Sequence, residues 1–172
     1  MKTLICILIF ALVFIACESE APKKEKKNSW SQEQSTKLNE QFTKEEEIAI
    51  KLYLKRRPEW DMKSTGSGLR YWVYEDQPGE TAKEDDQVDV NFEVRMLDDS
   101  LLYSTADGNV STFKVDKSNV ETGVQEGIKY LSEGDKAKFI IPSHLAHGLL
   151  GDFNKIPPLQ VLVVDIELLK IY

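Results

Sequence analysis

The sequence predicts an α+β protein, one curved antiparallel sheet packed on a short α-helix, with an N-terminal helix ahead of it. Three patterns carry that reading. Val88, Val90, Phe92 and Val94 alternate with Asp89, Asn91, Glu93 and Arg95, the period of two of a half-buried strand. Val161 to Ile171 is an apolar run broken only by Asp165, Glu167 and Lys170, a well-buried strand. Between them, Val124, Ile128 and Leu131 fall on one face of a short helix. The 172 residues allow one ordinary domain plus shorter segments.

The first sixteen residues read as an export address. Lys2 precedes thirteen uncharged residues, Leu4 to Ala16. A helix of that length rises about 20 Å, short of the roughly 30 Å of a bilayer core, so it suits a signal peptide better than a membrane span. Phe14-Ile15-Ala16-Cys17 resembles a bacterial lipoprotein box, with Phe14 where Leu is usual. The expectation is cleavage of residues 1–16 and lipidation of Cys17; a plain secretory signal with an incidental cysteine is the alternative. Cys6 would leave with the signal, so the mature chain would hold no free thiol. Thiol catalysis and cysteine-based metal sites are thereby excluded, and no disulfide can form.

Residues 17–28 are a charged tether, with dense charge, one proline and no large apolar side chain. Glu18 and Glu20 resemble a surface-export signal, although a polar spacer is the favoured reading, since charge runs are usually solvated. Residues 29–64 form a helical segment. Ser31 with Gln34, and Thr43 with Glu46, have capping-box spacing. Glu45 to Glu47 and Lys55 to Arg57 are ordered as the helix macrodipole prefers. The pairs Ile48/Leu52, Ala49/Tyr53 and Ile50/Leu54 are spaced i,i+4, and Pro58 ends the run. A helix over 44–57 is expected, with an extension back to 31 left open. Its apolar stripe would dock on the following domain or meet a second copy. Met62 to Gly68 is a turn-rich boundary.

Residues 65–172 form the main domain. Strands are expected over 69–74, 88–95, 136–141 and 161–171. Charge is unevenly spread: residues 18–67 hold 11 bases and 10 acids, while residues 68–172 hold 10 bases and 19 acids. An acidic domain is a poor non-specific nucleic-acid binder, because phosphate neutralisation needs clustered Lys and Arg. No Gly-rich strand–helix fingerprint supports nucleotide binding. His144 and His147 are spaced i,i+3 without an obvious carboxylate partner, which is weak evidence for a metal. No cofactor is expected.

Three segments then become informative together: TGSGLRYWVYEDQPGETAKEDDQVDVNFEV, VETGVQEGIKYLSEGDKAKFIIPSHLAHG and IPPLQVLVVDIELLKI. In order and spacing they resemble the FKBP-type peptidyl-prolyl cis-trans isomerases over almost all of residues 65–172. An N-terminal helix behind a lipoprotein signal further resembles the gliding-motility-associated FKBP-type lipoproteins of Bacteroidota. The resemblance implies an FKBP-like curved sheet wrapped on its helix, and an apolar pocket in which an X–Pro amide twists. It also implies proline-containing unfolded or partly folded envelope proteins as substrates.

Carried over residue by residue, the resemblance implies catalytic positions at Phe92, Tyr103, Ser104, Val124 and His147. These stand where the family usually has Tyr, Phe, Asp, Trp and Tyr. Substrate-binding positions would be Phe113, Val120, Glu121, Ile156 and Val164, with Glu121 offering the backbone N–H that grips a ligand carbonyl. Residues 148–158 would be a flap. The changes at Ser104, Val124 and His147 imply weakened activity and poor binding of the macrocycles that inhibit the family. A non-catalytic chaperone or adaptor on the same fold is the alternative. The implied location is the cell envelope, anchored through Cys17, on the periplasmic side of the outer membrane or at the surface.

Overall fold

The computed structural model describes residues 31–105 and 109–172. The expected signal peptide, the expected lipidation site Cys17 and the expected tether lie outside them. The chain divides into two compact units, residues 1–36 and 37–172.

Of the first unit only one helical turn is described. Ser31 Oγ accepts the N–H of Gln34 at 3.2 Å, and Gln34 Oε1 accepts the N–H of Ser31 at 2.9 Å. This is the reciprocal capping box expected there, and it opens helix α1, Gln32–Lys55.

The expected second start at Thr43 does not exist. Thr43 sits inside α1, and its hydroxyl donates to the Asn39 carbonyl at 2.9 Å. Glu46 instead faces the turn that follows residue 141, where it accepts the Ser143 N–H at 3.0 Å and the Ser143 hydroxyl. Past α1, Arg56 and Arg57 donate back to Tyr53 and Leu54, three residues earlier, so the last turn tightens before Pro58.

Among the described residues seven strands form one open sheet: β1 (Lys63–Ser64), β2 (Arg70–Glu75), β3 (Gln87–Met96), β4 (Leu101–Ser104), β5 (Ser111–Lys114), β6 (Lys136–Ile141) and β7 (Leu162–Ile171). Their order is β1-β2-β6-β7-β3-β4, with β5 also paired to β3. Every pairing is antiparallel. The strands expected from alternation are present. Short β1, β4 and β5 lie where no strand was expected. Helix α2, Thr122–Ile128, crosses one face.

Register decides which side chains share that face. Phe92 pairs with Ile166, Val94 with Val164, and Phe139 with Val164 on the other side of β7. These residues, with Val88, Val90, Ala137, Ile141 and Leu168, make a continuous apolar layer under Val124, Ile128 and Leu131. Leu131 is fully buried although α2 has ended.

The opposite face is covered by α1. Ile50 and Tyr53 pack with Ile140, Val161 and Val163. This is why β7 is buried on consecutive residues rather than alternate ones. The Tyr53 hydroxyl donates to Asp99 at 2.9 Å, and Arg57 joins the same carboxylate at 2.6 Å while lying 3.6 Å over the Tyr53 ring. Burial and that hydrogen bond push the Tyr53 phenol up to about 12. Ile48 and Leu52, also expected on the docking stripe, point to solvent.

Candidate functional site

The site grows from the space left between the sheet and the N-terminal end of α2. Helix α2 lies unusually close to β6, because Gly123 and Gly127 face Ile141 and Phe139 with no side chain between. That approach brings Val124 down onto the sheet. Ahead of the helix, buried Gln125 folds the incoming loop: its Oε1 accepts the Asp116 N–H at 2.8 Å and its Nε2 donates to the Ser118 carbonyl at 3.0 Å. Asn119, Val120 and Glu121 are thereby held at the mouth.

A cavity of about 310 Å³ results. Phe92, Val90, Val94, Val164 and Ile166 line it from the sheet, Tyr103 and Ser104 from β4, and Ser111 and Phe113 from β5. Asn119, Val120, Glu121 and Val124 close it on the helix side. Eight of the ten residues proposed from sequence thus meet around one space. Val90, Val94, Ser111, Asn119 and Ile166 were missed. Their sheet members share the alternation of Phe92 and Val164, which would have found them; Ser111 and Asn119 carry no such signal.

The remaining two stand elsewhere. Ile156 does not line the cavity; it is buried in the main core and fastens the loop of residues 148–158. His147 is also off the cavity wall, but its Nε2 lies 2.8 Å from Glu121 Oε1. Thus two of the positions at which the chain departs from the family pattern, His147 for a tyrosine and Glu121 for an isoleucine, are paired with each other. His144 turns away to the Ser67 carbonyl at 3.0 Å. Among the described residues no group of three or more His, Cys, Asp or Glu could hold a metal ion.

The loop over residues 148–158 is tied to β4. The Tyr103 hydroxyl donates to the Asp152 carboxylate. Asp152 Oδ1 also accepts the N–H groups of Asn154 and Ile156, at 2.8 and 2.7 Å. Burial works to raise the Asp152 carboxyl, but these three donors and nearby His147 outweigh it and hold the group at about 2. Lys155 Nζ donates to the Leu102 carbonyl at 2.8 Å and lies 4.8 Å over the Tyr103 ring.

The chemistry available is limited and specific. The walls are apolar and aromatic. The Glu121 N–H makes no hydrogen bond to another described residue, because Glu121 is the N-terminal cap of α2 and its amide points out of the helix. An apolar slot with a free backbone donor can hold an extended peptide. It disfavours the charge-separated planar amide relative to the less polar twisted form.

Fold and site together define an α+β domain in which a curved sheet and a short helix enclose an apolar, aromatic-walled pocket. Comparison with known proteins makes this specific: residues 79–169 match the family model described as FKBP-type peptidyl-prolyl cis-trans isomerase. The chain belongs to that family. It is similar to the probable FKBP-type peptidyl-prolyl cis-trans isomerase FkpA of Neisseria meningitidis serogroup B, 40% identical over 111 residues. It is also similar to FkpA of Escherichia coli K12, 37% identical over 111 residues. In each case 64% of this chain is matched, and the chain spans 40% of the relative's length. The crystal structure of E. coli FkpA superposes with a TM-score of 0.65 at 28% identity, covering 99% of this chain and 81% of that one. A Pseudomonas syringae peptidyl-prolyl isomerase structure shares the fold, with a TM-score of 0.59 at 22% identity over 73% of this chain and 94% of that one.

Proposed function

We propose that the protein is a peptidyl-prolyl cis-trans isomerase acting on proline-containing, unfolded or partly folded envelope proteins. The observation that carries this is the apolar cavity bordered by the bare Glu121 N–H. Rotation of an X–Pro bond is opposed by amide resonance, a barrier of roughly 18–20 kcal/mol, and needs no acid, base or metal to be lowered. The pocket would desolvate the amide while the Glu121 N–H holds a substrate carbonyl. Phe92, Tyr103, Phe113 and Val124 would wall the proline ring, with Ser104, Val120 and Val164 completing the slot. His147, through Glu121, would fix the mouth rather than touch the substrate.

The proposed location is the cell envelope, with Cys17 lipidated and the domain held near a membrane. The apolar leader ending in Cys17 supports this; among the described residues no helix is long and apolar enough to cross a membrane. The same leader followed by a helix supports the narrower kinship with gliding-associated lipoproteins of Bacteroidota.

The test is acceleration of cis-to-trans conversion in a short X–Pro peptide by the full-length protein. A rate equal to the uncatalysed one, with unfolded protein still bound, would replace the enzyme reading by the non-catalytic one. Cys17→Ser should leave that rate unchanged and release the protein from membranes; continued membrane retention would refute the anchor.

A further inference from the structure

Glu121 is out of keeping with the wall it belongs to. Among the described residues that line the cavity it is the charged one; the others carry apolar, aromatic, hydroxyl or amide side chains. It stands where the family usually has isoleucine. A carboxylate thus takes the place of an apolar side chain at the mouth of an apolar slot.

Nothing in the fold accounts for that carboxylate. Glu121 is the N-terminal cap of α2, but its side chain makes no capping hydrogen bond. No Lys or Arg among the described residues pairs with it. Lys117 goes to Glu84, Lys129 to Asp116, and Lys155 to the Leu102 carbonyl. Its side-chain partner is His147, whose Nε2 meets Oε1 at 2.8 Å. An ionised carboxylate only accepts, so Nε2 carries the proton. A neutral imidazole bonded in this way orients the carboxylate and leaves its charge whole. Oε2 accepts no hydrogen bond from a described residue. Asp152, the other carboxylate near His147, is by contrast satisfied by Tyr103, Asn154 and Ile156.

The Glu121 side chain is 30% exposed, and the same residue presents the backbone N–H that would hold a substrate carbonyl. A docked chain would pass over the carboxylate and strip water from it. Desolvating an unpaired charge opposes binding, whereas a cation carried by the incoming chain compensates it. An acidic side chain at the same place adds repulsion, so the group discriminates in both directions.

We infer that Glu121 sets the client specificity of the cavity, favouring prolines flanked by lysine or arginine and rejecting prolines flanked by acidic residues. The inference rests on the isomerase reading and names the substrate class of that same cavity.

The experiment measures kcat/KM of the full-length protein on three peptides that share one Leu-Pro pair and carry Lys, Gln or Glu on both sides of it. The unaltered protein should rank them Lys above Gln above Glu. Roughly tenfold should separate the extremes, since a part-exposed ion pair and a like-charge contact each contribute a few-fold. Added salt should bring that ratio toward one. Glu121→Gln keeps an acceptor for His147 and the backbone donor while removing the charge. Whatever it does to the absolute rates, the Lys-to-Glu ratio should fall to about twofold or less. Glu121→Lys should invert the ranking. Glu80→Gln makes the same change of net charge outside the cavity lining and should keep the parent's ratio.

An unaltered protein without the ranking, or a ratio that Glu121→Gln leaves standing, overturns the inference. A ratio lowered as far by Glu80→Gln as by Glu121→Gln assigns the preference to the overall acidity of the domain and also overturns it. If no peptide is accelerated, the isomerase reading fails, and calorimetric binding of the same peptides decides the charge preference alone: equal affinities overturn it. Should neither Glu121 variant fold, the unaltered protein and Glu80→Gln decide: a ratio that salt does not change, or that Glu80→Gln abolishes, overturns the inference.

Discussion

Gly127→Ala tests whether close helix–sheet packing builds the site. A Cβ at residue 127 would stand 2.6, 2.7 and 2.9 Å from Cε2, Cζ and Cδ2 of Phe139, whose ring is fully buried. Carbon atoms rest about 3.5–4.0 Å apart, so helix or ring must yield by about 1 Å. Overpacking of this kind costs about 1–3 kcal/mol. Alanine recovers about 1 kcal/mol over glycine inside a helix. With three atoms of a fully buried ring involved, the upper part of that range applies, about 2–3 kcal/mol, and the net expected is about 1–2 kcal/mol of destabilisation. The same helix carries Val124 on the cavity wall and begins at Glu121, so a 1 Å displacement should also lower kcat/KM for an X–Pro peptide, by roughly tenfold. Urea unfolding with an unchanged m-value reads the first effect, and the peptide assay the second. Phe139→Leu in the Gly127→Ala background makes room for the methyl group, so the two changes should cost less together than their sum. A Gly127→Ala protein as stable as the parent, or strictly additive costs in the pair, would refute the reasoning.

Three further outcomes are expected. Ile50→Ala, which empties the contact between α1 and the outer face of the sheet, should cost about 2–5 kcal/mol in a urea melt; a loss below the error of the melt would show that α1 is only loosely applied. Val124→Trp should fill about 100 Å² of the apolar wall and tighten an FKBP-directed macrocycle by roughly 2–3 kcal/mol at about 25 cal/mol per Å²; a dissociation constant that is unchanged by titration calorimetry would place the binding surface elsewhere. Asp152 is held at about 2 against an ordinary 3.8, so its contribution to the loop is fully present above pH 3.8 and is lost as pH falls from there toward 2. Amide signals of Asn154 and Ile156 should report that loss, and Asp152→Asn should abolish the step; a transition near pH 5 would contradict the hydrogen-bond assignment.

Much of the fold was legible because the sheet has a buried face and the side-chain period is two. The strands β2, β3, β6 and β7 each carry that signature or a continuous apolar run. Strands β4 and β5 have four residues each and lie at the margin, too short for a period to declare itself. The false helix start at Thr43 has a different cause. The spacing of a capping box is also an ordinary i,i+3 spacing within a helix, and Glu46 is acidic for the sake of Ser143, a partner 97 residues away. In the site, sheet positions were within reach of sequence, whereas the pairing of His147 with Glu121 was not. Those residues are 26 apart, on separate loops, and only the closed sheet–helix sandwich brings them to 2.8 Å.

Adjacent residues of β7 separate the two functions of the sheet. Val164 and Ile166 line the cavity, while Val163 packs with Ile50 and Tyr53 on the other side. Alternation sends their side chains to opposite faces, so a change under α1 reaches the cavity only by moving the strand itself. That strand is fixed on both sides, paired along its length with β3 and over Leu162–Glu167 with β6. Ile50→Ala should therefore lower stability and leave the KM for an X–Pro peptide unchanged, whereas Gly127→Ala, acting on the cavity's own face, should alter both. If Ile50→Ala raised KM as steeply as Gly127→Ala, the two faces would be coupled through β7, and α1 would belong to the site rather than to the scaffold.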